Sequence, residues 1–85
     1  MTSYTEEERI LQEVIDNEEE DWEASRLGEV IIDIIHARRE GELTEEEYIE
    51  LLGDIRTTEL IWEEAEITQM KQKLVKVVET LAKFV

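Results

Sequence analysis

Ile10, Leu11, Val14 and Ile15 recur at the three- and four-residue spacing that puts side chains on one face of a helix. From Asp16 the chain then carries no large apolar side chain until Trp22. Beyond it the pattern thickens. Leu27, Val30, Ile31, Ile34 and Ile35 make one stripe, and Ile32 points away from it and widens the buried arc. β-branched runs also suit strands, but helical spacing on both sides, and no partner segment rich in Val or Thr, favour helix. Tyr48, Leu51, Leu52, Ile55 and Trp62 follow. From Ile67 the seam is regular: Ile67, Met70, Leu74, Val77, Leu81 and Phe84 alternate three and four apart, the a/d repeat of a coiled coil. Carried backward, that frame puts Glu63 and Arg56 on the seam, so a stutter or bend lies between Thr57 and Ile67, with a helix break at Thr57 or Thr58 as one form of it.

Polar punctuation sets the boundaries. Ser3 with Glu6, or Thr5 with Glu8, can form a capping box at the first helix start. Through Asp16–Trp22 the spacing predicts one continuous helix; a break capped by Asn17, with Glu20 closing a box, is the alternative. The stretch Ala37–Tyr48 is more specific. Basic residues suit the negative end of a helix, Gly41 supplies the left-handed cap, and Thr44 with Glu47 is a second capping box. It reads as helix stop, short turn, helix start. Gly41–Tyr48 also resembles the glycine–apolar–threonine–x–x–glutamate–tyrosine turn of the short helical modules called SHOCT. That family's basic residues after the aromatic are replaced here by Ile49, Glu50 and Leu51, and the resemblance implies the same local turn and no function.

Together these signals predict an all-α fold: a single domain, 1–85, built as a long antiparallel helical hairpin with arms at about 4–40 and 44–84. Each arm would span roughly 55–60 Å. Trp62 would lie at the height of Trp22, Met70 at Val14 and Leu74 at Ile10, with Lys71, Lys73 and Lys76 alongside the acids of residues 6–13. One helix–helix interface covers one stripe per arm and leaves Ile32, Leu60, Ile61, Val75, Val78 and Val85 bare, more than a soluble monomer usually shows. The expectation is packing into an oligomeric helix bundle, as a homo-oligomer, or docking of another protein. The stripe comprises Leu27, Ile31, Ile32, Ile35, Leu60, Ile61, Ile67, Leu74, Val78 and Leu81. A three-helix bundle broken near Asn17 or Thr58 is the competing fold.

Composition narrows the function. The chain has 24 acids against 9 Lys and Arg, a formal charge of −15. Residues 1–66 hold 23 acids and 5 bases; residues 67–85 hold 4 Lys and 1 Glu. A polyanion of this kind argues against direct binding of nucleic acid or an anionic membrane. No segment reaches the roughly 18 apolar residues of a membrane span, and "MTSYTEEERI" lacks the basic and apolar regions of a signal peptide, so the expected location is cytoplasmic.

Chemistry is thin. There is no Cys, and one Asp33-x-x-His36 is no match for the paired Glu-x-x-His of a di-iron bundle. Residues 16–29 lack a glycine at loop position six and the alternating ligand spacing of an EF-hand. Ser3 and Ser25 have no evident base, and no glycine-rich phosphate loop occurs. No cofactor and no enzymatic activity are expected. Trp22 and Trp62 are either core or anchors of an interface. The leading expectation is a structural or interaction protein: an assembly factor, scaffold or adaptor of the kind frequent among bacterial and phage accessory proteins. The alternative is an inhibitor that mimics nucleic acid through Glu6, Glu7, Glu8, Glu13, Asp16, Glu18, Glu19, Glu20, Glu45, Glu46 and Glu47. A metal-handling helix bundle is the weakest reading.

Overall fold

The computed structural model describes residues 5–62 and 67–83. They form four helices: α1 (Thr5–Asp16), α2 (Trp22–Arg39), α3 (Glu45–Leu60) and α4 (Gln69–Lys83), with no strand among the described residues. Successive helices run antiparallel. Glu8, early in α1, pairs with Arg39 at the end of α2, while Thr68, just before α4, bonds Asp21, just before α2. α1 packs on α2 and α4, α3 packs on α4 and α2, and α2 also meets α4 across the middle.

The all-α class is as the sequence predicts, but neither arm is one continuous helix. The molecule measures 36 × 23 × 17 Å, well short of a hairpin with 55–60 Å arms. The first arm breaks after Asp16 because the polar stretch offers nothing to hold a helix against the core, and its side chains offer the backbone other partners. The Asn17 side-chain amide donates to the Glu13 carbonyl at 2.7 Å. Asp21 turns to extended backbone (φ −151, ψ 95), and its carboxylate accepts the Ala24 N–H at 3.0 Å as the N-cap of α2. The second arm breaks later than Thr57 or Thr58. Both hydroxyls bond back to carbonyls one turn earlier, Gly53 and Asp54, and α3 runs on to Leu60. The expected capping at Ser3 and Thr5 rests on side chains outside the described residues, as do Phe84 and Val85.

The turn between α2 and α3 matches its expectation in detail. Gly41 has φ 79. The Glu42 N–H reaches the Ala37 carbonyl at 2.9 Å and the Gly41 N–H reaches Arg38 at 3.2 Å, a Schellman closure. Thr44 and Glu47 form the full capping box, each side chain accepting the other's backbone N–H, at 3.1 and 3.0 Å. Those bonds to Thr44 hold the Glu47 carboxyl below the usual carboxylate range.

Folding each arm on itself lets one chain build a core. Leu11 and Val14 of α1, Ile31, Ile34 and Ile35 of α2, Tyr48, Leu52 and Ile55 of α3, and Met70, Leu74, Val77, Val78 and Leu81 of α4 are all buried. Small residues on α2 admit α1 closely. Ala24, Ser25 and Gly28 are buried, and a Cβ on Gly28 would stand 3.2 Å from Ile15 Cγ1. Ser25 Oγ donates to the Ile15 carbonyl at 2.9 Å, tying α2 to the last turn of α1.

Candidate interaction surface

The helix ends at residues 21–22, 58–62 and 67–71 meet at one end of the bundle. Asp21 caps α2 with one carboxylate oxygen and accepts the Thr68 hydroxyl on the other. Thr68 Oγ1 in turn accepts the Lys71 N–H at 3.2 Å, which starts α4. The Lys71 side chain is buried, with Nζ 3.9 Å from Asp21, 3.8 Å from Glu23 and 5.2 Å from the centre of the Trp62 ring. A buried cation held by two carboxylates and an aromatic face joins the starts of α2 and α4 to the end of α3.

Several large apolar side chains are exposed near this knot, while Ile49 at 47% and Leu51 at 36% are exposed in the first half of α3, toward the other end. Trp22 is 56% exposed, Val30 49%, Leu60 76% and Ile61 75%, in a molecule whose core side chains are nearly all below 5%. A cavity of about 280 Å³ opens between Trp22, Arg26, Leu27 and Val30 of α2 and Thr58 and Trp62 of the α3 end, with Glu23 beside it. The Arg26 guanidinium lies over the Trp22 ring, 5.1 Å from its centre. The two tryptophans thus lie at one height, as the antiparallel register predicts, and they line one opening.

A second cavity, about 170 Å³, lies between α3 and α4 among Ile49, Leu52, Gly53, Arg56, Val78 and Ala82. One turn beyond Arg56 sits Glu59, 7% exposed, whose Oε2 has no hydrogen-bond partner among the described residues. Burial pushes its carboxyl up to about 7, with the Glu79 carboxylate adding to the rise and Arg56 opposing it.

The expected stripe divides. Ile31, Ile35, Leu74, Val78 and Leu81 are buried within the chain's own core, and Leu27 and Ile32 are half-buried against it. Leu60, Ile61 and Ile67 stay at the surface. The carboxylates considered for mimicry fall into two groups. Glu6, Glu7, Glu8, Glu45, Glu46 and Glu47 lie at the end where Glu8 pairs with Arg39; Glu13, Asp16, Glu18, Glu19 and Glu20 lie at the other. Several are engaged: Glu7 is buried, Glu6 pairs with Arg9 at 3.2 Å, Glu13 meets Lys73 at 2.6 Å, and Asp16 accepts from Gln12 at 2.9 Å.

Among the described residues no three His, Cys, Asp or Glu side chains are grouped to hold a metal ion, and no helix is long and apolar enough to cross a membrane. Comparison of the chain with protein families, with curated proteins and with solved structures found no match. Sequence reasoning missed Asp21, Lys71 and Glu59. Asp21 carried the clearest signal, a capping residue just before an aromatic at a helix start. The register set Lys71 alongside the acids of residues 6–13, but the structure seats it against Asp21 and Glu23, and it is Lys73 that reaches Glu13. Glu59 looks, in sequence, like any other charge among many.

Proposed function

We propose that this is a non-enzymatic interaction protein, an adaptor or assembly factor that docks another protein through the apolar end around Trp22 and Trp62. The observation that carries the reading is the contrast in burial. One chain covers the large aliphatics of its own core, yet leaves Leu60 76% and Ile61 75% exposed beside a tryptophan-lined opening. Leu60 and Ile61 directly precede Trp62, which lines the opening with Trp22 and Val30; exposed large apolar groups are a mark of a contact surface, and tryptophan and arginine are the residues most often dominant in one. Self-association through the same end is the competing outcome.

A photo-reactive phenylalanine analogue placed at position 60, and separately at position 46, tests this in cells expressing the chain. The reading expects a discrete adduct from position 60, absent from position 46 and lost when Trp22→Ala is added. An adduct of two chain masses would assign the surface to a second copy. Equal labelling from both positions, or none from position 60, would overturn it. Mimicry of nucleic acid stays as a second reading because Glu18–Glu20 and Glu45–Glu46 are exposed. Binding by that route weakens steeply with ionic strength, and docking by apolar contact does not.

A further inference from the structure

Resting on that docking reading, we infer that the partner segment is a cationic amphipathic helix that seats one large apolar side chain in the Trp22–Trp62 cavity. Size comes first. The opening is a shallow groove of about 280 Å³, at the lower edge of the roughly 300–1,000 Å³ of small-molecule pockets, with room for one large side chain of a protein. Shape comes next. Trp22, Arg26 and Val30 step along α2 at four-residue intervals, so the opening runs with the helix axis, and Thr58 and Trp62 form its other wall. A groove between two helices takes the apolar stripe of a third.

Charge selects among such helices. Glu23 at the cavity is paired with Lys71, so the acidic character comes from around it: Glu29 beside Val30 is exposed, and the exposed run Glu18–Glu20 leads into the capped start of α2. Arg26, the cation at the cavity, lies on the Trp22 ring. A second copy of this chain fits poorly, because it brings a formal −15 to a formal −15. Two of the four lysines of its one basic segment are also committed: Lys71 pairs with Asp21 and Glu23, and Lys73 with Glu13. A helix with Lys or Arg flanking its apolar stripe meets both requirements, since rim charges of opposite sign speed encounter and reject wrong partners.

The test uses the full chain and designed helical peptides of about 18 residues, followed by tryptophan fluorescence and calorimetry. One peptide carries a Leu/Phe stripe with Lys on the polar face. Others place Gln or Glu on that face, and a scrambled one keeps the Lys but loses the stripe. The Lys amphipath should bind at least about tenfold more tightly than the Gln version, shift the tryptophan emission to the blue, and lose about tenfold on Val30→Lys. Equal binding of the Lys and Gln peptides would remove the charge preference while leaving docking at this end intact. Equal binding by the scrambled peptide, no loss on Val30→Lys, or no binding by any peptide would overturn the inference. The photo-adduct at position 60 decides the docking reading separately.

Discussion

The two ends of the bundle solve the same problem differently. At the α2–α3 end the chain closes on itself with local devices: a left-handed Gly41, a Schellman pair, and a reciprocal Thr44–Glu47 box. Arg38 reaches the Leu43 carbonyl at 2.9 Å and also covers the buried Tyr48 ring, 5.9 Å from its centre. At the other end three helix termini are joined by one long-range knot around Asp21, Thr68 and Lys71, and the apolar residues beside it stay bare. Local closure satisfies the backbone at its end, although Ile49 and Leu51 nearby stay exposed. Closure through distant residues leaves groups that neither helix can cover, and a binding surface can be kept there at little cost to the core.

The comparison can be broken at several points. The largest effect is expected from Ile31→Asp or Leu74→Asp, both fully buried at the level where the helices meet. An unpaired charge there costs several kcal/mol, against the about 3–5 kcal/mol that a core of this size supplies. Circular dichroism should show loss of the cooperative melt in either variant. Gly28→Leu should come next, destabilising by about 1–3 kcal/mol in urea titrations, because Ile15 already stands 3.2 Å from the first added carbon. Thr44→Ala should lose about 1 kcal/mol by removing the capping hydroxyl.

Glu59→Gln sharpens the comparison through pH. The folded chain keeps the Glu59 proton up to about pH 7, whereas the unfolded chain releases it near its ordinary value of 4.5. Between those limits the folded state binds more protons, so stability falls as pH rises, and the loss is complete above about 7. The glutamine variant should therefore be more stable than the parent at pH 8 and show a flatter profile between pH 5 and 7; an unchanged slope would remove Glu59 as its source. Smallest of all, Leu60→Glu should shift stability by less than about 0.5 kcal/mol, since that side chain is 76% exposed. On the proposed function its effect falls on binding.

Much of the local structure was legible in the chain. The turn at 40–44 could be read because its signals are contiguous and each acts on the backbone beside it. The helical faces could be read because spacing alone fixes them. The two breaks could not be settled that way. Asp16–Asp21 permits a solvated helix turn as readily as a cap, and what decides is tertiary: α1 gains more by folding onto Ala24, Ser25 and Gly28 than by extending. That preference was foreshadowed only by a glycine inside an otherwise strong helix. Once the arms fold back, Ile31, Leu74, Val78 and Leu81 are covered within one chain, and the apolar excess that suggested assembly shrinks to Trp22, Val30, Leu60, Ile61 and Ile67, with Ile49 and Leu51 toward the other end.

The account stands on the chain finishing its own core and reserving one end for a different protein. Light scattering over a wide range of protein concentration tests this most directly. It should report a single species of 10.1 kDa throughout, unchanged by Leu60→Glu. A mass that climbs with concentration, and returns to that of one chain in the Leu60→Glu variant, would show that a second copy occupies the open end, and would contradict it.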